Sequence, residues 1–250
     1  MLALADEYEL VFYDQRGGGR SRTDQREPIT WRTQVDDLAC VVRELGLEPL
    51  TLVGYSWGGL LALLYAIEAD DGDHGMLSAP APGRMVLIDP ASVSGAYRRQ
   101  FEQEFARRQA SPKVQHLRDE LAASGLKERD PPAYRQRLFE LSVAGYFADP
   151  QRAHDLTPFR VIGRVQQSVW ESLGEFDLTE RLSAVRCPVL VLHGTADPIP
   201  LDSSRSIANA LPDAELVVLD GSGHVPYVEA PDALFAAVRR FLEKTGAMLS

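Results

Sequence analysis

The sequence predicts an α/β fold: a mostly parallel sheet with helices on both faces and a helical cap. Three observations predict it. Strand-like and helix-like apolar patterns alternate from residue 8 to residue 69. A strand, a sharp glycine-lined turn and an apolar helix follow without a break at 50–69. Strand patterns then resume at 189–193 and 214–219, after a long helical stretch. Strand–helix–strand alternation implies parallel strands joined by crossovers.

The elements follow in order. Residues 8–13 read as a strand that runs into Asp14, Gln15, Arg16, three glycines, Arg20 and Ser21. The triplet lacks the G-K-[ST] ending of a phosphate loop, and its spacing is not G-x-G-x-x-G, so it reads as a tight loop near a pocket. In 30–45, Trp31, Val35, Leu38, Val42 and Leu45 fall on one helical face, and Gly46 is a plausible stop. Leu50, Leu52 and Val53 suit a buried strand, and 60–69 is an almost wholly apolar helix. The acidic stretch 70–75 lacks the spacing of a calcium-binding loop and reads as a solvated turn. Residues 84–89 form the next strand, ended by Pro90.

From 91 to 175 the pattern is helical, with candidate helices at 98–109, 114–123 and 133–143 and prolines between them. A helical insertion between two core strands reads as a lid. The expected division is a core of 1–90 and 176–250 with a cap of 91–175. Strand 189–193, helix 203–211, strand 214–219 and helix 231–244 complete the core.

Composition narrows the partners. A net charge of −10 disfavours nucleic acid and anionic membranes, leaving a small molecule or short peptide as the expected substrate. No apolar run approaches a membrane span, and residues 1–5 are too short for a signal peptide. Cys40 and Cys187 have no metal or redox spacing and read as reduced packing residues of a cytoplasmic protein. Neither a metal nor an organic cofactor is expected.

The chemistry centres on Gly54, Tyr55, Ser56, Trp57 and Gly58, a G-x-S-x-G sequence between strand and helix. So tight a turn needs small neighbours, lifts the serine Oγ out of the sheet, and aims the Trp57 N–H and a helix N-terminus at a bound carbonyl oxygen. Asp197 and His224 also follow strands by a few residues, where open α/β sheets place their sites. Alone, Ser56 could sit in an ordinary βα turn, Asp197 could cap a helix, and His224 could be a loop residue beside Gly221 and Gly223. Together, in the order Ser, Asp, His, they read as nucleophile, acid and base. Asp202 is a weaker rival acid because it falls at the next helix start, and His193 reads as structural.

These residues resemble the α/β-hydrolase superfamily from Tyr8 to the C-terminus. The D-Q-R-G-x-G-x-S form at 14–21 and the Trp after the serine are similar to the proline iminopeptidase branch. The resemblance implies Ser56 as nucleophile, Asp197 as acid, His224 as base and a helical cap. It also implies a cap carboxylate for a substrate amine, for which Glu171 and Glu175 are candidates beside solvated acids; Tyr55 and Trp170 are further candidate binding residues. Hydrolysis of a small ester or amide is therefore expected, possible targets including an N-terminal prolyl peptide. The rival is an inactive or low-activity relative that serves as a binding protein. A dehalogenase-like activity is disfavoured because Ser56, not Asp, holds the nucleophile position.

One departure from the family stands out. Members carry a His-Gly loop and a further strand upstream of the Asp14 segment, and that loop supplies a second oxyanion N–H. Here 13 residues precede Asp14, and none forms it. Loss of one such donor costs about 10²–10³ in rate. Without the intervening strand, two central strands would face each other across unpaired backbone groups. Either the natural start lies upstream, the expectation favoured, or the sheet is split or re-paired.

Overall fold

The computed structural model describes residues 1–22, 28–70, 80–159 and 163–246. Among the described residues, four strands form one sheet: β1 (Thr51–Tyr55), β2 (Arg84–Ile88), β3 (Val189–Gly194) and β4 (Ala214–Leu219). They lie in chain order and every pair is parallel, with Val53 opposite Val86, Val86 opposite Leu190, and Leu190 opposite Glu215. Parallel strands need crossovers, and the crossovers supply the helices that cover both faces.

Helix α1 (Trp31–Glu44) begins at a capping box in which Thr30 and Thr33 bond each other's backbone amides. It ends before Gly46, whose φ of +60° is the left-handed turn expected after a helix. Helix α2 (Trp57–Asp70) follows β1 directly. Its uniform apolarity fits its burial: Leu60, Leu63, Leu64 and Ile67 are wholly enclosed. Between β2 and β3 come α3 (Gly95–Gln109), α4 (Pro112–Ala123), the single turn α5 (Leu126–Arg129), α6 (Pro131–Val143) and α7 (Gly163–Leu173). Helix α8 (Leu201–Ala210) joins β3 to β4, and α9 (Pro226–Glu229) and α10 (Pro231–Gly246) close the chain. No helix among the described residues is long and apolar enough to cross a membrane.

The core lies in two layers, one on each side of the sheet. Met85, Leu87, Val189 and Val191 face α1, α2 and α8 through Val35, Leu38, Leu64 and Ile207. Val86, Ile88, Leu190 and Leu192 face α10 through Leu234, Val238, Phe241 and Leu242. Successive strand residues point to opposite faces, so residues 85–88 of β2 and 189–192 of β3, buried on both, are all apolar.

The structure corrects one expected element. Residues 8–13 are not a strand, and among the described residues the sheet stops at β1, which pairs only with β2. An apolar run becomes a strand only if a neighbour accepts its ladder, about 4.8 Å away. Here a cleft of about 530 Å³ intervenes, with Leu10, Phe12 and Tyr13 on one wall and Leu50, Leu52 and Val53 on the other. The sheet is not re-paired to close it. The acidic loop read at 70–75 lies, beyond Asp70, outside the described residues.

Candidate active site

Three strand ends build the site. At the end of β1, Ser56 adopts φ +52°, a left-handed conformation unusual for a residue with a side chain. Hydrogen bonds hold it there: its N–H donates to Ile88 O at 3.0 Å, and its carbonyl accepts from Ala91 N–H at 2.9 Å. The turn needs glycine at particular places. A Cβ on Gly54 would lie 2.3 Å from the Gly58 carbonyl oxygen, and one on Gly59 would lie 2.9 Å from Pro90. Gly58 itself would meet nothing, so the steric demand falls on 54 and 59 and not symmetrically on 54 and 58.

The loops after β3 and β4 touch. A Cβ on Gly194 would lie 2.3 Å from Ser222 O, and Ala196 N–H donates to that same carbonyl at 2.8 Å. This contact brings Asp197 and His224 together. Asp197 Oδ2 accepts from His224 Nδ1 at 2.8 Å, and Asp197 Oδ1 accepts from Ile199 N–H at 2.7 Å. His224 Nε2 lies 2.9 Å from Ser56 Oγ, where it can accept the hydroxyl proton. Asp197 and His224 are buried. The His224 N–H donates to Tyr146 O at 2.8 Å, tying the loop to the helical insertion.

Electrostatics follow from burial. Burial pushes the His224 imidazole down to about 4, against a smaller upward pull from Asp89 and Glu229. Burial pushes the Asp197 carboxyl up, opposed by its side-chain contact with Asp89 and by the hydrogen bond from the Ile199 amide. The resting arrangement is a neutral imidazole whose Nδ1–H donates to a carboxylate, leaving Nε2 as a base toward Ser56.

A cavity of about 520 Å³ opens at Ser56, lined also by Trp57, Ser92, Arg98, Tyr146, Trp170 and Glu171. That volume suits a small molecule. Trp57 is the first residue of α2, and first-turn amides have no intrahelical acceptor. Trp170 packs edge-on against Trp57 at 5.1 Å, with the Arg98 guanidinium 4.2 Å from its ring centre. Glu171 accepts from Gln167 at 2.7 Å within α7.

Two of the expected binding residues lie elsewhere. Glu175 does not line the cavity; its exposed carboxylate pairs with Arg99 at 3.2 Å, drawn there by charge. Tyr55 does not line it either; as a β1 residue it points into the layer beneath, packing 5.2 Å from both His224 and Tyr227. His193 is enclosed and serves structure: one ring nitrogen bonds Ile199 O at 3.0 Å and the other Ser204 Oγ at 2.9 Å. Asp202 pairs with Arg205 on α8, away from His224.

Sequence reasoning singled out no site role for Arg98, Tyr146 or Asp89. Arg98 looked like one charge among many on a polar helix. Tyr146 stacks on His224 at 5.0 Å, a contact between residues far apart in sequence. Asp89 reads as the last residue of an apolar strand just before Pro90; only its complete burial sets it apart. Among the described residues, Asp89, Asp197 and His224 are the one group of three potential metal donors, each offering an atom within 4.8 Å of the others. Both nitrogens of His224 are already engaged within the protein, so the group reads as a proton-transfer cluster.

Comparison with known proteins bears on the fold family. The sequence profile described as alpha/beta hydrolase fold matches residues 1–231. A RutD protein of Caulobacter sp. (strain K31), named for carbamate hydrolysis, is 29% identical over 99% of this chain and 85% of its own length. A proline iminopeptidase of Heyndrickxia coagulans is 24% identical over 96% of this chain and 83% of its own. Among solved structures, the proline iminopeptidase of Mycobacterium smegmatis superimposes with a TM-score of 0.63 at 21% identity, over 95% of this chain and 80% of that one.

Proposed function

Because the chain belongs to the alpha/beta hydrolase fold family, with proline iminopeptidases among its relatives, we propose that it is a serine hydrolase of small esters or amides. One observation carries the reading: the unbroken hydrogen-bonded row from Ser56 Oγ through His224 to Asp197. As Ser56 Oγ attacks the substrate carbonyl carbon, His224 Nε2 takes its proton and Asp197 stabilises the imidazolium. The Trp57 N–H and the α2 N-terminus face the oxyanion that forms. His224 then protonates the departing alcohol or amine, leaving an ester on Ser56. Water, deprotonated by His224, hydrolyses that ester and restores the serine.

Residues 91–175 act in this reading as a cap whose α7 closes one side of the cavity. Glu171, on the cavity wall, would hold a substrate ammonium, as cleavage of an N-terminal prolyl peptide would require; Glu175, paired with Arg99 outside the cavity, would not. The free cysteines, Cys40 and Cys187, fit a cytoplasmic protein.

A fluorophosphonate probe tests the nucleophile. Wild type is expected to label and Ser56→Ala to remain unlabelled; equal labelling of the two rejects Ser56. Assays on prolyl-naphthylamide and short acyl esters separate the substrate classes. If Glu171 holds an amine, Glu171→Gln raises KM for the prolyl substrate by roughly tenfold or more and leaves the esters nearly unaffected.

A further inference from the structure

Asp89 has no role in the mechanism above, yet it is wholly enclosed at the centre of the site. Its backbone is left-handed, with φ +41°, and its N–H donates to Leu192 O at 2.8 Å. One carboxyl oxygen, Oδ1, accepts from Gly194 N–H at 2.9 Å. The other, Oδ2, is buried and takes no hydrogen bond from any conventional donor among the described residues. The imidazole of His193 stands 3.7 Å from Oδ1 but supplies no charge. Its Nε2–H donates to Ile199 O, burial keeps the ring neutral by pushing its pKa down to about 4, and a neutral ring with its proton on Nε2 meets Ser204 Oγ through an unprotonated Nδ1. What Asp89 does face is Asp197: an oxygen of each carboxyl and a nitrogen of His224 lie within 4.8 Å of one another.

Two carboxylates so close and so buried cannot both ionise cheaply, so one holds a proton. Asp197 receives two N–H donors, from Ile199 and His224, which favour its anion. Asp89 receives one N–H donor and has a bare oxygen left over. We propose that Asp89 is a neutral carboxylic acid whose Oδ2–H donates to the Asp197 carboxylate, making it a positioning residue for the Asp197–His224 pair. Burial and the neighbouring Asp197 charge both push the Asp89 carboxyl up, in the same sense.

The consequence for the site is a matter of charge. With Asp89 neutral, His224 faces one anion, already shared among three donors. With Asp89 ionised, a second buried anion would favour the imidazolium, and the ring would cease to accept the Ser56 proton at a higher pH. The titratable groups around Asp89 are Asp197 and His193 from the end of β3, Tyr55 from β1, and His224 and Tyr227 from the segment after β4. Glu229 and Arg108 act one step further out, on His224 and Asp197.

This inference rests on the hydrolase reading for its effect on rate, but not for the proton itself. Infrared difference spectroscopy of wild type against Asp89→Asn at pH 7 is expected to show the carbonyl stretch of a protonated, buried carboxyl, shifted by ¹³C-aspartate labelling. Asp89→Ala is expected to move the acid limb of kcat/KM upward by about one pH unit and to lower kcat/KM roughly tenfold to hundredfold. Asp89→Asn, which keeps a neutral donor toward Asp197, is expected to recover most of both losses. Absence of the carboxyl band, or an Asn variant as impaired as the Ala variant, overturns the proposal. If Asp89→Ala does not fold, the band and the Asn variant still decide. A wild type that shows the band but does not label with fluorophosphonate overturns the hydrolase reading and leaves the proton on Asp89.

Discussion

Ser56 stores strain. A non-glycine residue at φ +52° costs on the order of 1–3 kcal/mol, and the hydrogen bonds to Ile88 and Ala91 hold it in place. Glycine would relieve that cost, and alanine would not. Ser56→Gly is therefore expected to be more stable than Ser56→Ala by about 1 kcal/mol in urea unfolding, with neither labelled by fluorophosphonate. Equal stability of the two would mean that the turn is unstrained. His224 makes a second prediction at this scale. The base works only when neutral, and burial lowers its pKa from 6.5 to about 4. Neutral imidazole is present above the folded pKa and lost as pH falls through it. The acid limb of kcat/KM should thus have its midpoint below pH 6.5 in wild type; a midpoint at or above that value would contradict the buried, neutral imidazole.

The turn between β1 and α2 distinguishes its glycines. Gly54→Ala would drive a Cβ to 2.3 Å from a backbone oxygen that cannot move without unmaking the helix start. Such a variant is expected to lose several kcal/mol or fail to fold. Gly58→Ala meets nothing and sits in the first turn of a helix, so its stability should stay within about 1 kcal/mol of wild type. Comparing the two by thermal melting checks this; a severe Gly58→Ala would show that the steric account is wrong. The same elements show what a sequence can reveal. Leu60, Leu63 and Leu64 announced a buried helix, and the apolar runs at β2 and β3 announced strands covered on both faces. The meeting of Ser56, Asp197 and His224 could be anticipated because strand ends in a parallel sheet share one rim. Residues 8–13 show the limit: their pattern is strand-like, but pairing depends on a neighbour, which local sequence does not contain. Asp89 shows another, since an acid before a proline looks the same whether it is solvated or enclosed.

For the molecule as a whole, the two sheet edges differ. At the β4 edge, Glu215 is paired with Arg240 at 3.0 Å, so charge guards the outer strand. At the β1 edge the unpaired backbone faces an apolar cleft, and Phe12, Leu45 and Val53 are exposed nearby. Exposed apolar edges are templates for strand addition, and lysine placed on them suppresses it. Val53 on β1 and Val218 on β4 are each 41% exposed, which makes them a matched pair. The net charge of −10 opposes association at low salt, so the comparison belongs at physiological ionic strength, where screening acts within about 8 Å. Under those conditions light scattering of wild type is expected to rise with protein concentration. Val53→Lys should suppress the rise severalfold, while Val218→Lys, on the edge already guarded by charge, should leave it nearly as in wild type. If both lysines act equally, the effect is one of net charge and the β1 edge has no special part in it. If neither acts, the cleft wall formed by residues 8–13 shields the strand well enough to keep the protein apart.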